Sequence, residues 1–320
     1  EKNVMAYTSG GEIREWDYNI LAWGGNTSGT YTEAVNNLAL VWGVGTGQKG
    51  YGQDVSAFPV VTTGSLVTAA SWSGLVYHVN KSLAHQGQTQ LANGSNIGIV
   101  AGETVTSFAN VLTGTTQINT TNLSHFAVGT KTTGSNLDDS LSSTSGLSIA
   151  TNYDVTVTFA SADQARYFFN AGGELQYRMS SVSGGGSGSE QSVDRLITGI
   201  GGVNFRTIDN GGRTGSGITL NTNTTSIGYY DLTTSEQTLI KVTDTTSAYT
   251  ASNANINVYY AGATDRGAKG NVVRFRINLA VANKTWDDTI SMILRHRVDI
   301  QYPSTTYLAA VSGTPVVALA

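Results

Sequence analysis

The segment "ISMILRHRVDIQY", residues 290–302, is the strongest constraint that the sequence places on the fold. Its alternate positions share one largely apolar face, formed by Ile290, Met292, Leu294, His296, Val298, Ile300 and Tyr302. A period of two is typical of a strand with one buried face. "NVVRFRINLA" repeats the pattern, with Val273, Phe275, Ile277 and Leu279 predicted to be buried and Arg274 and Arg276 exposed. Such strands need a sheet and a second layer packed on it.

The composition is typical of a large β-rich protein. The chain has 320 residues, enough to bury a sizeable core. Its charged fraction is 12%, about half the usual share of roughly 25%. Serine, threonine, asparagine and 38 glycines separate the apolar residues, which favours strands and neutral polar loops. The chain has no cysteine, which excludes disulfides, thiolate metal sites and cysteine nucleophiles.

Charge and hydropathy argue against two classes of partner. The net charge is -4 and no basic run stands out, so we expect no nucleic-acid binding. No apolar stretch approaches the roughly 20 residues that span a bilayer, so we expect no membrane segment. No signal peptide is visible and Glu1 is not an initiator methionine, so we expect a processed product or a trimmed numbering.

Helical periodicity in the first part of the chain predicts a small helical layer. Residues 30–42 place Tyr31, Val35, Leu38 and Trp42 on one stripe. Residues 68–85 begin with Thr68 as a cap. The stripe of this second helix comprises Trp72, Leu75, Val76, Val79 and Leu83. A shorter helix is predicted over 104–112.

The segment "GVGTGQKGYGQ", residues 43–53, contains the spacing GxGxxG at Gly45, Gly47 and Gly50. A dinucleotide-binding turn needs a strand before these glycines and a helix that starts on them. Here a predicted helix precedes them and the loop-like "YGQDVSAFPVV" follows. The pattern therefore predicts a helix C-cap and an inter-helix loop rather than a nucleotide site.

The remaining chain is predicted to be mostly strand. Residues 115–150 indicate a long loop or short edge strands. A strand-helix-strand unit follows from 153, and "SGGGSGS" at 183–189 predicts a flexible loop tip before another helix. The runs "SIGYYDL", "QTLIKVT" and "NINVYY" predict short strands. We therefore expect an α+β, β-rich fold with a helix- and loop-rich region over 1–150 and a β-rich domain over 151–320, ending in a sandwich or jelly-roll-like arrangement.

The candidates for catalysis or metal binding lack the spacing that their chemistry requires. His78 and His85 are seven residues apart on one helix, whereas a helical metal pair is usually four apart. His125 is predicted to lie in a loop, and His296 to face the core or a subunit contact. The pairs Asp138–Asp139 and Asp287–Asp288 are sequence neighbours, which point to opposite faces of a strand and do not converge on a sugar. Both are predicted to lie in loops or turns.

Other signals for chemistry are equally weak. No GxSxG motif stands on a strand-to-helix turn, and the glycosylation triplets at Asn26 and Asn119 are expected by chance in a chain so rich in threonine and asparagine. We therefore assign no catalytic, cofactor-binding or metal-binding residue and expect the chain not to be an enzyme.

Three segments resemble virion structural proteins of tailed bacteriophages, especially contractile-tailed phages of cyanobacteria. The first combines "DYNIL" at 17–21, "GVGTGQKGYGQ" and a helix that ends in "AHQG". The others are "VTVTFASADQARYFFNAGGELQYR" at 155–178 and "SIGYYDLTTSEQTLIKVT" at 226–243, in the order of that family. The stretch "WGGNTSGTYTE" looks inserted relative to the family's shorter spacing.

The resemblance implies a non-enzymatic component of the neck, the tail or an attached fibre, located in the virion and assembled in the host cytoplasm. Its expected partners are copies of itself and other virion proteins. Two alternatives remain open at this point: a spike that binds or cleaves a host surface glycan, and a capsid decoration protein. The family has no assigned enzymatic residues, so none is carried over.

Overall fold

The computed structural model describes residues 14–24, 37–91, 108–124, 127–143, 148–184, 186–282, 289–310 and 313–320. These residues form six α-helices and twelve strands in two antiparallel sheets, and 26% of them are helical and 34% are in strands. The expected α+β, β-rich class is confirmed. In the described part of the chain, no helix combines the length and the apolar character needed to cross a bilayer.

The chain divides into two compact units. The helical unit combines the described residues up to Val128 with Asn170–Gly172 and residues 303–310. The sandwich unit takes the remaining residues from Gly129 onward. The expected division between residues 150 and 151 lies inside the strand Ile149–Thr158. Two earlier strands, Val128–Thr132 and Leu137–Ser143, are part of the sandwich because both pair with the strand Ile290–Pro303.

Four helices form the helical unit: α1 (Glu15–Ala22), α2 (Leu38–Trp42), α3 (Ala69–His85) and α4 (Phe108–Thr120). The helix expected over 68–85 is confirmed as α3, and the Thr68 side chain caps it by accepting from the Ser71 amide at 3.1 Å. Its apolar stripe is buried: Trp72, Leu75, Val76, Val79 and Leu83. The helix expected over 30–42 is present as α2, while residues 30–36 lie outside the described residues.

Helix α4 corrects two expectations at once. The helix expected over 104–112 runs to Thr120, and the loop or edge strands expected from residue 115 begin only after it. The buried face follows helical spacing but is largely polar, formed by Val111, Gly114, Thr115, Ile118 and Asn119. Threonines on the other face turn their hydroxyls to carbonyls four residues back, as Thr116 does to Leu112 at 2.9 Å. Because so few apolar residues mark its buried face, the sequence of this helix shows only a weak helical periodicity.

Two six-stranded sheets build the sandwich unit. The first sheet has the order β1-β11-β4-β5-β6, with β2 also pairing with β11; the second has the order β12-β3-β10-β9-β8-β7. The strands of the first sheet are β1 (Val128–Thr132), β2 (Leu137–Ser143), β4 (Glu174–Ser183), β5 (Gly202–Phe205), β6 (Asn210–Arg213) and β11 (Ile290–Pro303). Those of the second are β3 (Ile149–Thr158), β7 (Thr219–Asn223), β8 (Gln237–Thr243), β9 (Asn253–Ala261), β10 (Val272–Val281) and β12 (Val316–Leu319).

The long alternating strands lie where the sequence predicts them. Strand β11 buries six of its seven predicted positions and half-buries Tyr302. Strand β10 buries Val273, Phe275, Ile277 and Leu279, and pairs with β3 and β9 over most of its length. The strand-helix-strand unit is present as β3, α5 (Ala162–Asn170) and β4, and the helix after the Gly/Ser stretch is α6 (Gly188–Ile200). Strands β8 and β9 match "QTLIKVT" and "NINVYY".

Two local expectations are wrong. "SIGYYDL" forms a 3-10 helix at Tyr229–Asp231 instead of a strand, since the Tyr229 ring is buried against Phe169 at 4.4 Å between ring centroids. "NLDDSL" forms β2 instead of a loop, because residues 137–143 pair with β11.

The two sheets share one hydrophobic core. Tyr177 of β4 stacks on Phe275 of β10 with ring centroids 5.2 Å apart, and Phe205 of β5 meets the same ring edge-on at 5.8 Å. Facing aromatic pairs of this kind add stabilisation beyond the burial of their area. The core therefore depends on β10, because Phe275 on this strand contacts Tyr177 and Phe205 of the opposing sheet.

The Gly/Ser stretch at 183–189 is anchored where the structure describes it. The Glu190 carboxylate is buried and accepts from the amides of Gly186 at 2.8 Å, Ser187 at 3.2 Å and Ser291 at 2.8 Å. The Ser187 hydroxyl donates to the Thr289 carbonyl at 2.8 Å. This stretch therefore connects the start of α6 to the start of β11 rather than forming the flexible tip that its composition predicts.

Glu190→Ala should lower the free energy of unfolding of the sandwich unit by about 1 to 2 kcal/mol, because three backbone amides lose their acceptor. Urea unfolding followed by circular dichroism measures the change. Gln191→Ala, an exposed neighbour on the same helix, should change the value by less than about 0.5 kcal/mol. Equal effects of the two variants would contradict the anchoring role of Glu190.

Candidate interaction surface

The glycine motif forms the loop that its flanks predict. Helix α2 ends at Trp42, and Gly45, Gly47 and Gly50 follow with φ values of 29°, 53° and 100°. The loop then folds back on the helix, since the Tyr51 amide donates to the Val41 carbonyl at 2.8 Å. The helix-then-loop order is confirmed, and it is the reverse of the order in a dinucleotide-binding turn.

Side chains from distant segments bind the carbonyls of this loop. Asn170 donates to the carbonyls of Gly47 at 3.2 Å and Gly50 at 3.1 Å, and Asn122 donates to the Gln48 carbonyl. The Lys49 ammonium group donates to the Asn119 side chain at 3.0 Å. The side-chain amides of Asn170 and Asn122 therefore fix the loop within the helical unit.

Gly45→Ala should destabilise the helical unit by at least about 1 kcal/mol more than Gly47→Ala. Both residues have positive φ, which strains any L side chain. A Cβ at Gly45 would also lie 2.2 Å from the Leu40 carbonyl oxygen, whereas a Cβ at Gly47 meets nothing within 4 Å. Tryptophan fluorescence during urea unfolding measures the difference. Equal losses would show that strain alone acts at both positions.

The two helical histidines occupy separate environments. His78 donates from Nδ1 to the Gly74 carbonyl, 2.8 Å away, and packs against the rings of Trp42 and Phe58. His85 is buried, with Nε2 at 3.0 Å from the Ala171 carbonyl and its ring against Tyr51. Burial lowers the pKa of His85 to about 4. Both rings act as packing groups in the helical unit.

His296 faces the core of the sandwich, as predicted. Its Nδ1 is 2.6 Å from the Tyr177 hydroxyl, and its ring lies between Tyr177 and Tyr153. Burial lowers its pKa to about 4, against the weaker opposing effect of the Asp139 and Asp138 carboxylates. His125 lies outside the described residues.

The Asp138–Asp139 pair splits across β2, as neighbours on a strand must. Asp138 receives two hydrogen bonds of 2.7 Å from Arg295 across the first sheet, and Asp139 accepts from the Ser140 amide at 2.8 Å.

The remaining candidates form no site in the part of the chain that the structure describes. Asp287–Asp288 and Asn26 lie outside the described residues, while Asn119 is buried in α4. Within the described ranges, no group of three or more histidines and acids is arranged to hold a metal ion.

Three charged residues on the outer face of the second sheet, Arg276, Asp154 and Glu236, are engaged with one another. Arg276 of β10 donates to Asp154 at 2.6 and 2.5 Å and to Glu236 at 2.6 Å, and Asn257 donates to the second oxygen of Glu236. These hydrogen bonds raise the pKa of Arg276 further above its usual range. These three residues form an ionic network, and the predicted outward orientation of Arg276 is correct although the side chain is only 27% exposed.

The edges of the sheets differ from each other in chemistry. Four edge strands carry charged or polar side chains: β1 with Lys131, β2 with Asp138 and Asp139, β6 with Arg213, and β7 with the sequence TLNTN. The β6 and β7 edges also meet, since the Arg213 amide donates to the Asn223 side chain. Charges and local cover of this kind protect an edge from pairing with another chain. The fifth edge strand, β12, has the sequence VVAL.

Strand β12 pairs with β3 on one side and is the outermost strand of the second sheet among the strands that the structure describes. Val317 and Leu319 pack partly against the core, while Val316 points away from it and is 66% exposed. The strand follows Pro315 and was not predicted, since four apolar residues are too few to establish a period. An uncharged apolar edge is the feature that protein–protein pairing uses.

Comparison of the chain with family models, curated proteins and solved structures gives no match.

Proposed function

We propose that the chain is a non-enzymatic structural subunit of a bacteriophage particle, a component of the neck, the tail or an attached fibre. It acts through contacts with copies of itself and with other virion proteins. The observation that carries the proposal is the β12 edge, an uncharged apolar strand at the border of an otherwise protected sandwich.

The resemblance to phage virion proteins supports the same function. Residues 155–178 cover the end of β3, all of α5 and the first half of β4, and residues 226–243 cover the 3-10 helix and β8. These segments supply much of the sandwich core, including Val155, Phe168, Tyr177, Tyr229 and Leu239. The similarity therefore falls on residues that build the scaffold, which suits a protein that works by its shape.

The side-chain chemistry is consistent with a scaffold. The ionic groups of Arg276 and Arg295 are engaged with carboxylates of the same unit, and His85 and His296 are buried in cores. These four side chains stabilise contacts between strands and helices of the chain. The sequence is rich in serine, threonine and asparagine and has a charged fraction of only 12%, which suits neutral contacts between subunits.

Locating the chain in purified particles tests the proposal. Particles of the phage that encodes the sequence should contain it in a fixed stoichiometry by mass spectrometry, and antibody labelling should place it at one position in electron micrographs. Recovery of the chain only from the soluble lysate, with none in washed particles, would overturn the proposal. Release of reducing ends from host polysaccharide by the purified chain would replace it with a glycan-cleaving spike.

A further inference from the structure

The backbone of β12 presents hydrogen-bonding groups away from the sandwich. The Ala320 amide donates to the Asp154 carbonyl of β3 at 3.0 Å, and the Ala318 carbonyl accepts from the Thr156 hydroxyl at 3.3 Å. In an antiparallel pair, alternate residues bond to the same neighbour. Ala318 and Ala320 therefore face β3, and the N–H and C=O groups of Val317 and Leu319 point outward.

We propose that the β12 strands of two copies of this chain pair antiparallel, around a two-fold axis at Ala318, and join the two second sheets into one continuous sheet. The inference rests on the proposed function, because it names the first partner of a subunit that works by contact. Pairing of this kind is closed and isologous, the commonest symmetry among homo-oligomers.

The sequence of β12 is suited to its own copy. With Ala318 on the axis, Val317 of one strand lies opposite Leu319 of the other, and each of these residues donates and accepts one outward hydrogen bond. The strand contains no charge, so two copies bring no like charges together. Three of the other edges, β1, β2 and β6, carry charged residues and would bring like charges together, and β7 is polar.

Val317→Pro tests the pairing without touching the β3 ladder. Proline at 317 removes an outward N–H, while the residues that face β3 are the alternate ones, 316, 318 and 320. Sedimentation of the wild-type chain should give a dimer, and Val317→Pro should raise the dissociation constant at least about tenfold with unchanged circular dichroism. Leu220→Lys, at the exposed edge strand β7, should leave the dimer intact.

A cysteine cross-link tests the axis in a chain that has no cysteine of its own. In the proposed pairing, the two Ala318 positions face each other with Cα atoms about 4.5 Å apart, within disulfide range. Ala318→Cys should form a covalent dimer under mild oxidation. Val316→Cys should not, because its copies would lie four residue steps apart, about 14 Å.

The outcomes separate this inference from the proposed function. A wild-type chain that stays monomeric at high concentration, with no Ala318→Cys cross-link, overturns the pairing. So does a dimer that Val317→Pro leaves unchanged, or cross-linking of equal yield at 316 and 318. If Val317→Pro fails to fold, the cross-link decides. None of these results bears on the presence of the chain in particles, which is measured independently.

Discussion

Phe275→Ala should lower the free energy of unfolding of the sandwich unit by about 4 kcal/mol, the usual range for removal of a buried phenylalanine being about 3 to 5 kcal/mol. The ring is fully buried at the centre of β10 and contacts Tyr177 and Phe205 of the opposing sheet. Its removal leaves a cavity between two sheets that their own hydrogen bonding prevents from collapsing. Urea unfolding at constant pH, followed by far-ultraviolet circular dichroism, measures the loss.

Two controls separate the cavity from simple loss of apolar area. Phe275→Leu keeps much of the volume and should cost less than about half as much. Val182→Ala removes apolar atoms from an exposed position in β4 and should change the stability by less than about 0.5 kcal/mol. Because the helical unit has its own core, its unfolding transition should move less than that of the sandwich. Equal shifts of both transitions would contradict a local role for Phe275.

Acidification from pH 7.5 to 5 should destabilise the sandwich unit by about 2 kcal/mol through His296 alone. Its pKa is about 4 in the folded chain and about 6.5 in an unfolded one. The unfolded state therefore binds a proton that the folded state excludes. The stability is fully present above pH 6.5 and is lost as the pH falls toward 4, where the loss reaches about 3 kcal/mol. His85 has the same effect on the helical unit.

His296→Gln should flatten this dependence. The variant will start less stable at pH 7.5, because the Tyr177 hydroxyl loses its imidazole partner. Between pH 7.5 and 5 it should then lose about 2 kcal/mol less than the wild-type sandwich. A histidine resonance that titrates near pH 4 by nuclear magnetic resonance, and is absent from the variant, would assign the group. An equal pH dependence in both proteins would show that other groups dominate.

Regular periodicity is what made the fold predictable. Strands β10 and β11 each bury one face over ten or more residues, so their alternation identified both strand type and burial. Helix α3 combined a five-residue apolar stripe with a threonine cap at the expected position. The glycine motif was interpreted correctly from its flanks, since α2 precedes it and no helix begins on it.

The misses arise where long-range contacts outweigh local pattern. The full length of helix α4 was missed because its buried face contains polar residues such as Asn119, whose partner Lys49 is distant in the chain. The 3-10 helix at Tyr229 depends on the Phe169 ring, and the strand β2 depends on pairing with β11. The Gly/Ser stretch is anchored by Glu190, a residue whose acidic side chain gave no sign of burial. The β12 edge could be recognised only from its place in the sheet order.

The helical unit takes residues from near both ends of the sequence, and this sets when it can mature. The Gln53 side chain exchanges two hydrogen bonds with the Ala309 backbone, 256 residues away, and the adjacent Leu308 is buried in the same core. At about 5 to 20 residues per second, a ribosome needs roughly 13 to 51 s to travel between them. The core of the four helices therefore stays incomplete in the nascent chain until Leu308 has been translated.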